Sequence, residues 1–262
     1  MSREPGFQVT GEAAERYAAT SYPFMSPFVA ALAQYVHAGD AVLDVACGTG
    51  YATEVAADRA GDKGTVTGVD VNPGMVQVAT LHAKGRYEIH LAPADRLPFP
   101  DAGFDVVLCQ QGLQFFPDIR AAFDEVVRVL RPGGRFAATF WAAREKSPYM
   151  GALLKGHSDV LGYSPPQDQV FTSEPAKFVA GATEAGLIGV TVEEVVAEVA
   201  LPSLPAYAEA HLGALPWAAG LDAETRKDIA KAATAELHAY HTPDGGARVP
   251  FVSHLLQGRS RP

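Results

Sequence analysis

The feature that most limits how this chain can fold is a short apolar run that passes into a glycine-rich turn, LDVACGTG at residues 43–50. A helical pattern follows directly over residues 51–60. In such a unit the glycines let a ligand lie against bare backbone, and the helix N-terminus presents free N–H groups. Asp70 lies twenty residues past Gly50, where a carboxylate can accept hydrogen bonds from both ribose hydroxyls. These features predict an adenosine-containing cofactor; the alternative is a tight turn and a strand-end aspartate that bind nothing.

Apolar, β-branched runs alternate with helical patterns along the first half of the chain. The predicted strands are residues 40–45, 64–71, 87–92, 104–110 and 135–141, with helices over 51–60, from Pro73, and over 119–130. This alternation is typical of βαβ units and a parallel sheet. Beyond Trp141 we predict a broken helical segment over 143–172, helices over 174–185, 202–215 and 222–240, and strands over 190–201 and 247–256.

The composition argues against several classes of protein. The chain has 30 acidic and 21 basic residues and a net charge of −9, which disfavours nucleic-acid binding. It has no apolar run long enough to span a membrane, and its polar N-terminal segment lacks the apolar stretch of a signal peptide. Two cysteines, Cys47 and Cys109, cannot make a disulfide framework or a zinc site alone. We therefore expect a cytoplasmic protein without metal, nucleic-acid or membrane partners. The charged fraction of 19% is low, which suggests apolar surface for a pocket or a partner interface and is compatible with a homodimer.

The glycine spacing separates two cofactor classes. Dinucleotide-binding folds place a third glycine three residues after the position of Gly50, and this chain has Thr53 there. The motif D-x-A-x-G-x-G instead resembles motif I of the class I S-adenosylmethionine-dependent methyltransferases. Residues 66–75, 97–118 and 128–141 also resemble segments of that family. The chain is most similar to its type 11 group, which includes quinone-biosynthesis C-methyltransferases and small-molecule O-methyltransferases, and the resemblance covers residues 40–141.

The resemblance implies a fold and a division of the chain. The expected fold is α/β, a Rossmann-like doubly wound sheet of seven strands, mostly parallel with an antiparallel last strand, plus helical lid insertions. Residues 1–262 would form one methyltransferase domain with an N-terminal helical cap (1–39), a cofactor-binding core (40–141) and substrate-lid helices with the last strands (142–262). The implied cofactor is S-adenosylmethionine, which becomes S-adenosylhomocysteine, with no metal.

The resemblance also assigns cofactor-binding residues by motif position. These are Asp44, Ala46, Gly48 and Gly50 along the methionine and ribose portion, Asp70 at the ribose hydroxyls, Val71 and Met75 beside the adenine, and Gln110 near the sulfonium. One stretch departs from the family pattern, because Pro93 stands where the family often has an aspartate before Ala94. Either Asp95 takes over the contact with the adenine amine, or that amine is held in another way.

We expect the acceptor to be a small apolar or aromatic molecule that is methylated on oxygen or carbon. The family folds an N-terminal segment over the cofactor, so Tyr17 and Tyr22 are candidates to close the pocket, although a simple packing helix would explain them too. Gln111 and Gln114 could face either ligand or solvent. Aromatic residues of the second half are candidates for an apolar acceptor lining, namely Phe171, Phe178, Tyr207 and Trp217.

A stripe of apolar residues on the predicted helix 202–215 contains His211. Leu204, Tyr207, Ala208, His211 and Leu215 fall on one face at 3.6 residues per turn. His211 is therefore a candidate general base that takes a proton from the acceptor, whereas His238 points away from its apolar stripe and His157 lies in an irregular region. The alternative is a core histidine whose ring is satisfied by a backbone carbonyl.

Two other functions share parts of this pattern. A nicotinamide-dependent dehydrogenase would use the same loop and acid, but the chain lacks the third glycine and a Ser/Tyr-x-x-x-Lys pair suited to carbonyl chemistry. A protein that binds S-adenosylmethionine as a scaffold, or uses it in a non-methylating reaction, would keep every motif described above.

Overall fold

The computed structural model describes residues 11–165, 171, 174–215, 217–218 and 220–262. In the predicted cap and lid segments, residues 1–10, 166–170, 172–173, 216 and 219 lie outside the described residues. The strands are β1 (Ala41–Val45), β2 (Thr65–Asp70), β3 (Glu88–Leu91), β4 (Phe104–Gln110), β5 (Leu130–Trp141), β6 (Ile188–Leu201) and β7 (Ala247–Arg259). The helices are α1 (Gly11–Ala33), α2 (Tyr51–Ala60), α3 (Pro73–Ala83), α4 (Ile119–Val129), α5 (Pro148–Leu161), α6 (Pro175–Ala185), α7 (Leu204–Leu212) and α8 (Ala223–Glu236).

The strands of the described chain form one seven-stranded sheet in the order β3-β2-β1-β4-β5-β7-β6. Neighbours among the first five strands pair in parallel, whereas β7 runs antiparallel to both β5 and β6. The strand order reverses between β1 and β4, which makes that point the switch point of the sheet. The predicted doubly wound sheet with one antiparallel last strand is confirmed.

Helices cover both faces of the sheet, as the uninterrupted apolar run of β4 over residues 106–109 requires. Val106 and Leu108 pack against Leu32 of α1 and the alanines of α2, while Val107 and Cys109 pack against the α4 side. Successive strand residues point to opposite faces, so a strand between two helical layers needs apolar residues at every position. Because helices cover both faces, a ligand can reach the sheet at the edge where β1 and β4 end.

The boundaries differ from the sequence expectation where turn residues intervene. β5 begins at Leu130 rather than 135, because Leu130 pairs with Phe104 before a register shift brings Arg135 opposite Val106. α7 is shorter than predicted, since Pro205 occupies its first turn and the helix ends before Gly213. α8 ends at Glu236 and passes into a short 3-10 helix, and β7 continues three residues past the predicted end.

The predicted broken segment after Trp141 contains a regular helix. A 3-10 turn (Arg144–Lys146) leads into α5, which ends at Gly162 in the left-handed conformation. His157 therefore lies on a helix rather than in an irregular region, and it is buried, with its Nδ1 3.1 Å from the carbonyl oxygen of Tyr163. No helix in the described ranges is long and apolar enough to cross a membrane.

A hydrophobic cluster rich in aromatic rings, which we call the aromatic cluster, joins α1, α5, α7 and α8 to the outer strands. Phe251 of β7 lies at its centre and is fully buried. Its ring stacks on Phe24 of α1 with 5.2 Å between centroids, and it lies 5.9 Å from Tyr149 and 6.4 Å from Trp141. The late helices and α1 are thus held to the sheet by one set of rings.

Phe251→Ala should lower the free energy of unfolding by about 3–5 kcal/mol, because it leaves a cavity where three rings meet. Val196→Ala is the control, since Val196 lies on β6 with 66% of its surface exposed and should change stability by less than about 0.5 kcal/mol. Urea unfolding followed by circular dichroism measures both. A similar small effect of the two changes would contradict the central role of Phe251.

Candidate functional site

A cavity of about 540 Å³ opens at the carboxyl ends of the central strands. The loops that follow β1, β2, β3 and β4 form one end of it, and residues of the aromatic cluster form the other. This volume lies within the range of about 300–1,000 Å³ found for small-molecule sites. We call the part formed by the strand-end loops the polar end, and the part formed by the aromatic cluster the aromatic end.

Left-handed backbone conformations shape the loop after β1 and the loop after β4, which meet at the switch point. Gly48 has φ +56° and Gly50 has φ +91°, and the non-glycine residues Ala46 and Gln111 are also left-handed, with φ of +58° and +53°. The loops touch closely, because a Cβ on Gly112 would come within 2.7 Å of the Ala46 side chain. Such conformations in non-glycine residues cost about 1–3 kcal/mol and concentrate at ligand sites.

Asp70 connects the glycine loop to the end of β2. One carboxylate oxygen accepts a hydrogen bond from the N–H of Gly48 at 2.9 Å, and the other accepts one from the N–H of Asn72 at 2.8 Å. Burial raises the pKa of Asp70, and these backbone hydrogen bonds partly offset that rise. Each oxygen can accept a further hydrogen bond, so the carboxylate can hold the loop and a ligand together.

Asp44 lies beneath the loop and is fully buried. Its Oδ2 accepts a 2.6 Å hydrogen bond from the hydroxyl of Thr53, the residue that replaces the third glycine of the dinucleotide pattern. Its Oδ1 is buried without a hydrogen-bond partner among the described residues. Burial raises the pKa of Asp44 to about 7, with the Thr53 hydrogen bond lowering it and the nearby Asp70 charge raising it further.

The remaining cofactor candidates surround the polar end, with two exceptions. Val71, Met75, Ala94, Asp95 and Gln110 line the cavity with Ala46, Gly48 and Asp70. Asp44 and Gly50 do not reach its wall, and Gly50 instead packs close to Ala79 of α3. Asp95 is exposed, and its carboxylate makes no hydrogen bond or ion pair with a described residue.

The three candidate glutamines after β4 differ in position. Gln110 lines the cavity, and its Nε2 lies 3.1 Å from the sulfur of Met25. Gln111 also lines it, donates from Nε2 to the Ser253 hydroxyl at 2.6 Å, and keeps Oε1 buried and unpartnered within the described chain. Gln114 is absent from the cavity wall and donates to the Gln111 carbonyl oxygen at 2.8 Å. The structure therefore gives Gln114 a loop-supporting position rather than a ligand-facing one.

Helix α1 closes the cavity from above, at the position expected for the N-terminal cap. Tyr17, Tyr22 and Met25 line the wall. Burial raises the pKa of Tyr17 to about 12, so its hydroxyl stays protonated. Tyr22 stacks on Tyr51 with 4.2 Å between ring centroids. Sequence reasoning missed Tyr51, although its position directly after Gly50, at the first turn of α2, was a usable signal.

The aromatic end brings together some of the predicted acceptor residues and not others. Phe171, Trp217 and His211 line it, together with Leu215 of the predicted stripe and Phe24 of the N-terminal segment. Trp141 and Met150 also line it, and the sequence did not single them out for this site. Trp141 ends β5, and the carboxyl end of a central strand was the signal for it. Phe178 does not reach the cavity, because it packs on Phe140 on the other side of the sheet, 4.5 Å between centroids.

Tyr207 is also absent from the cavity wall. Its hydroxyl donates a hydrogen bond to the carbonyl oxygen of Thr20, which joins α7 to α1, and burial raises its pKa far above the usual value. His211, one turn further along α7, is fully buried, and burial lowers its pKa to about 3. Its partner is the Tyr149 hydroxyl, 3.0 Å from Nδ1, and not the backbone carbonyl that the alternative interpretation required.

Comparison with known proteins agrees with this geometry. A family model described as a methyltransferase domain matches residues 43–138. Demethylmenaquinone methyltransferase of Thermus thermophilus is 32% identical over 152 residues, which cover 52% of this chain and 69% of that protein. The chain belongs to the class I S-adenosylmethionine-dependent methyltransferase family. Demethylmenaquinone methyltransferase of Symbiobacterium thermophilum is 41% identical over 103 residues, and the match spans 37% of this chain but only 41% of that relative's length.

The fold has similar solved structures across nearly its whole length. Phosphoethanolamine N-methyltransferase 2 of Haemonchus contortus, solved with S-adenosyl-L-methionine, superposes with a TM-score of 0.64 at 17% identity, covering 97% of this chain and 58% of that one. At this identity the likeness shows the methyltransferase fold alone. The family resemblance predicted from residues 40–141 is confirmed by the relative from Thermus thermophilus.

The residues present at the polar end fit the family's cofactor. A Cβ on Gly48 would meet no atom within 4 Å, so its backbone is open to a ligand. Gln111 lines the cavity, and its buried acceptor Oε1 has no hydrogen-bond partner among the described residues. The carboxylate of Asp70 lines the cavity beside Gly48 and suits the hydroxyl and cationic groups of that cofactor. No group of three metal-ligating side chains occurs within the part of the chain that the structure describes.

Asp44→Asn should flatten part of the pH dependence of stability. The unfolded carboxyl ionises near its usual pKa, whereas the native one keeps its proton up to about pH 7. The unfolded state therefore binds fewer protons between those values, and the wild type loses up to about 1.4 kcal/mol of stability per pH unit as pH rises through that window. Urea unfolding at pH 5, 6, 7 and 8 measures the difference between the two proteins, and parallel profiles would contradict the buried neutral carboxyl.

Proposed function

We propose that this protein binds S-adenosylmethionine at the polar end and transfers its methyl group to a small apolar or aromatic acceptor held at the aromatic end. The observation that carries the proposal is that one cavity is lined both by Gly48 and Asp70 and by the rings of Trp141 and Phe171. A cofactor in the first part and an acceptor in the second would share one cavity. We include in the proposal that residues 1–262 act as one domain, with 40–141 holding the cofactor and 142–262 selecting the acceptor.

The polar end supplies binding groups rather than chemistry. Asp70 has lone pairs left for ribose hydroxyls after its two backbone contacts, and charge-assisted hydrogen bonds of this kind contribute about 1.5–3 kcal/mol each. Gly48 lets the ligand approach bare backbone. Met75 is buried and Val71 partly exposed, and both can lie against a flat base, while Asp95 is free of other partners to accept from an amine.

The aromatic end orients the acceptor and excludes water from it. When bound, S-adenosylmethionine supplies an electrophilic methyl group, whose bond to sulfur breaks as a bond from the acceptor oxygen or carbon forms, leaving neutral S-adenosylhomocysteine and an acceptor proton for solvent. Holding two reactants in line supplies much of the acceleration of such a displacement, and enclosed walls keep water from competing. Gln110 lies where β4 ends, between the two ends of the cavity, and can orient either ligand.

A matched pair of glycine substitutions tests the cofactor. Gly48 and Gly39 both have left-handed φ, and an added Cβ would meet no atom within 4 Å at either site, but only Gly48 lines the cavity. Each change to Ala should cost about 1 kcal/mol of stability. Calorimetric titration with S-adenosylhomocysteine should show at least tenfold weaker binding for Gly48→Ala and unchanged binding for Gly39→Ala. Equal affinities in both variants would remove the glycine loop from the cofactor site.

Methyl transfer itself is tested with isotope-labelled S-adenosylmethionine and a panel of aromatic phenols, hydroquinones and enolisable ketones. The expected result is labelled methyl in an extractable product, with one S-adenosylhomocysteine formed per methyl transferred. Binding of S-adenosylmethionine without transfer to any member would favour the scaffold or non-methylating alternative. Binding of a nicotinamide cofactor in its place would overturn both and restore the dehydrogenase.

A further inference from the structure

His211 presents an unusual pair of nitrogens at the aromatic end of the cavity. The ring is fully buried and lies parallel to Tyr149, with 5.7 Å between centroids, and 5.2 Å from Phe24. Nδ1 is paired with the Tyr149 hydroxyl at 3.0 Å. Nε2 is buried and has no hydrogen-bond partner among the described residues, although His211 lines the cavity. A histidine that served packing alone would have no reason to leave this atom unmatched.

Counting hydrogens decides which nitrogen carries the proton. If the Tyr149 hydroxyl donates to Nδ1, the proton of the neutral imidazole is on Nε2, and that N–H is the one unmatched group. If Nδ1–H donates to Tyr149, both the hydroxyl hydrogen and the Nε2 lone pair are buried without partners. Each unmatched buried group costs about 1–3 kcal/mol, so the first arrangement is the more stable. Burial supports a neutral pair, since it lowers the pKa of His211 to about 3 and raises that of Tyr149 well above its usual value.

We propose that the Nε2–H of His211 is a hydrogen-bond donor to the acceptor substrate, and that this substrate therefore carries a carbonyl, quinone or enolate oxygen on an apolar ring system. The proposal rests on the proposed function only in that it takes the aromatic end as the acceptor site. It replaces the general-base role suggested by the sequence, because a base needs a free lone pair on the nitrogen that faces its substrate.

The chemistry of the surrounding wall favours this substrate class. Apart from His211, the residues at this end are Phe24, Trp141, Met150, Phe171, Leu215 and Trp217, so His211 is the one titratable side chain among these described residues. A ring system would fill the apolar part, and an oxygen on it would satisfy the unmatched N–H. A hydrogen bond to an enolate or phenolate is stronger than one to a neutral oxygen, so the same donor would favour the ionised, nucleophilic form of the acceptor. Tyr149 acts as a positioning residue that fixes the tautomer.

The tautomer can be observed directly, without cofactor or turnover. In protein labelled with ¹⁵N-histidine, two-bond ¹H–¹⁵N correlation spectra distinguish Nε2–H from Nδ1–H rings, and His211→Phe identifies the relevant signals by their loss. We expect Nε2–H in the wild type and a mixture of tautomers in Tyr149→Phe. An Nδ1–H ring in the wild type would overturn the proposal.

A matched pair of ligands tests the substrate class. 1-Tetralone and tetralin differ only by a carbonyl oxygen in place of two hydrogens. We expect the ketone to bind the wild type at least tenfold more tightly and to shift the His211 Nε2–H resonance, and we expect this preference to vanish in His211→Phe. The control is His238→Phe, an exposed histidine after α8 that does not line the cavity and should keep the preference.

Equal binding of the two compounds, an unmoved Nε2–H signal, or binding of neither up to its solubility limit would each overturn the donor role. Comparing the two ligands within each variant keeps the result independent of any loss of stability. None of these measurements uses S-adenosylmethionine, so their failure would leave the proposed methyl transfer untouched. Conversely, failure of the calorimetric titration would not alter the tautomer.

Discussion

The carboxylate of Asp70 is the contact on which the candidate site depends. By accepting from the N–H groups of Gly48 and Asn72 it fixes the loop after β1 to the loop after β2. The first of these loops in turn packs against Gly112, which begins the turn after β4. Left-handed backbone at Ala46 and Gln111 is stable only where its surroundings determine it fully. One buried acid therefore keeps three loops in a shape that can receive a ligand.

The core and the polar end could be predicted because their signals are local. The glycine loop, the Thr53 that replaces a third glycine, and Asp70 all lie within about thirty residues of one another, and the geometry of a βαβ unit converts that spacing into proximity. β4 shows the same principle, since its uninterrupted apolar run implied helices on both faces. The prediction was less accurate at element ends, as at β5, where Pro132, Gly133 and Gly134 suggested a turn before the strand but lie within it, beside an irregularity in its pairing.

The aromatic end was harder to predict because its contacts join distant parts of the chain. Tyr149 and His211 are 62 positions apart, and Tyr207 reaches Thr20 across 187 positions. Helical periodicity placed Tyr207 and His211 on one face of α7, and the structure has them one turn apart on that helix. It could not show that α1 covers the Tyr207 hydroxyl while the cavity reaches His211. Nor could apolar character alone reveal that Phe178 packs on the opposite side of the sheet.

The position of β7 has a consequence for how the molecule assembles. It is the last strand of the described sheet in sequence, yet it lies between β5 and β6. During synthesis β6 has no partner on the sheet until β7 has been made, and β5 presents an open, apolar edge for the whole interval. An exposed edge of this kind invites pairing with other chains. The outer sheet and the packing of rings around Phe251 can therefore form only after β7 has been made, and until then the open edge of β5 is a site for aggregation.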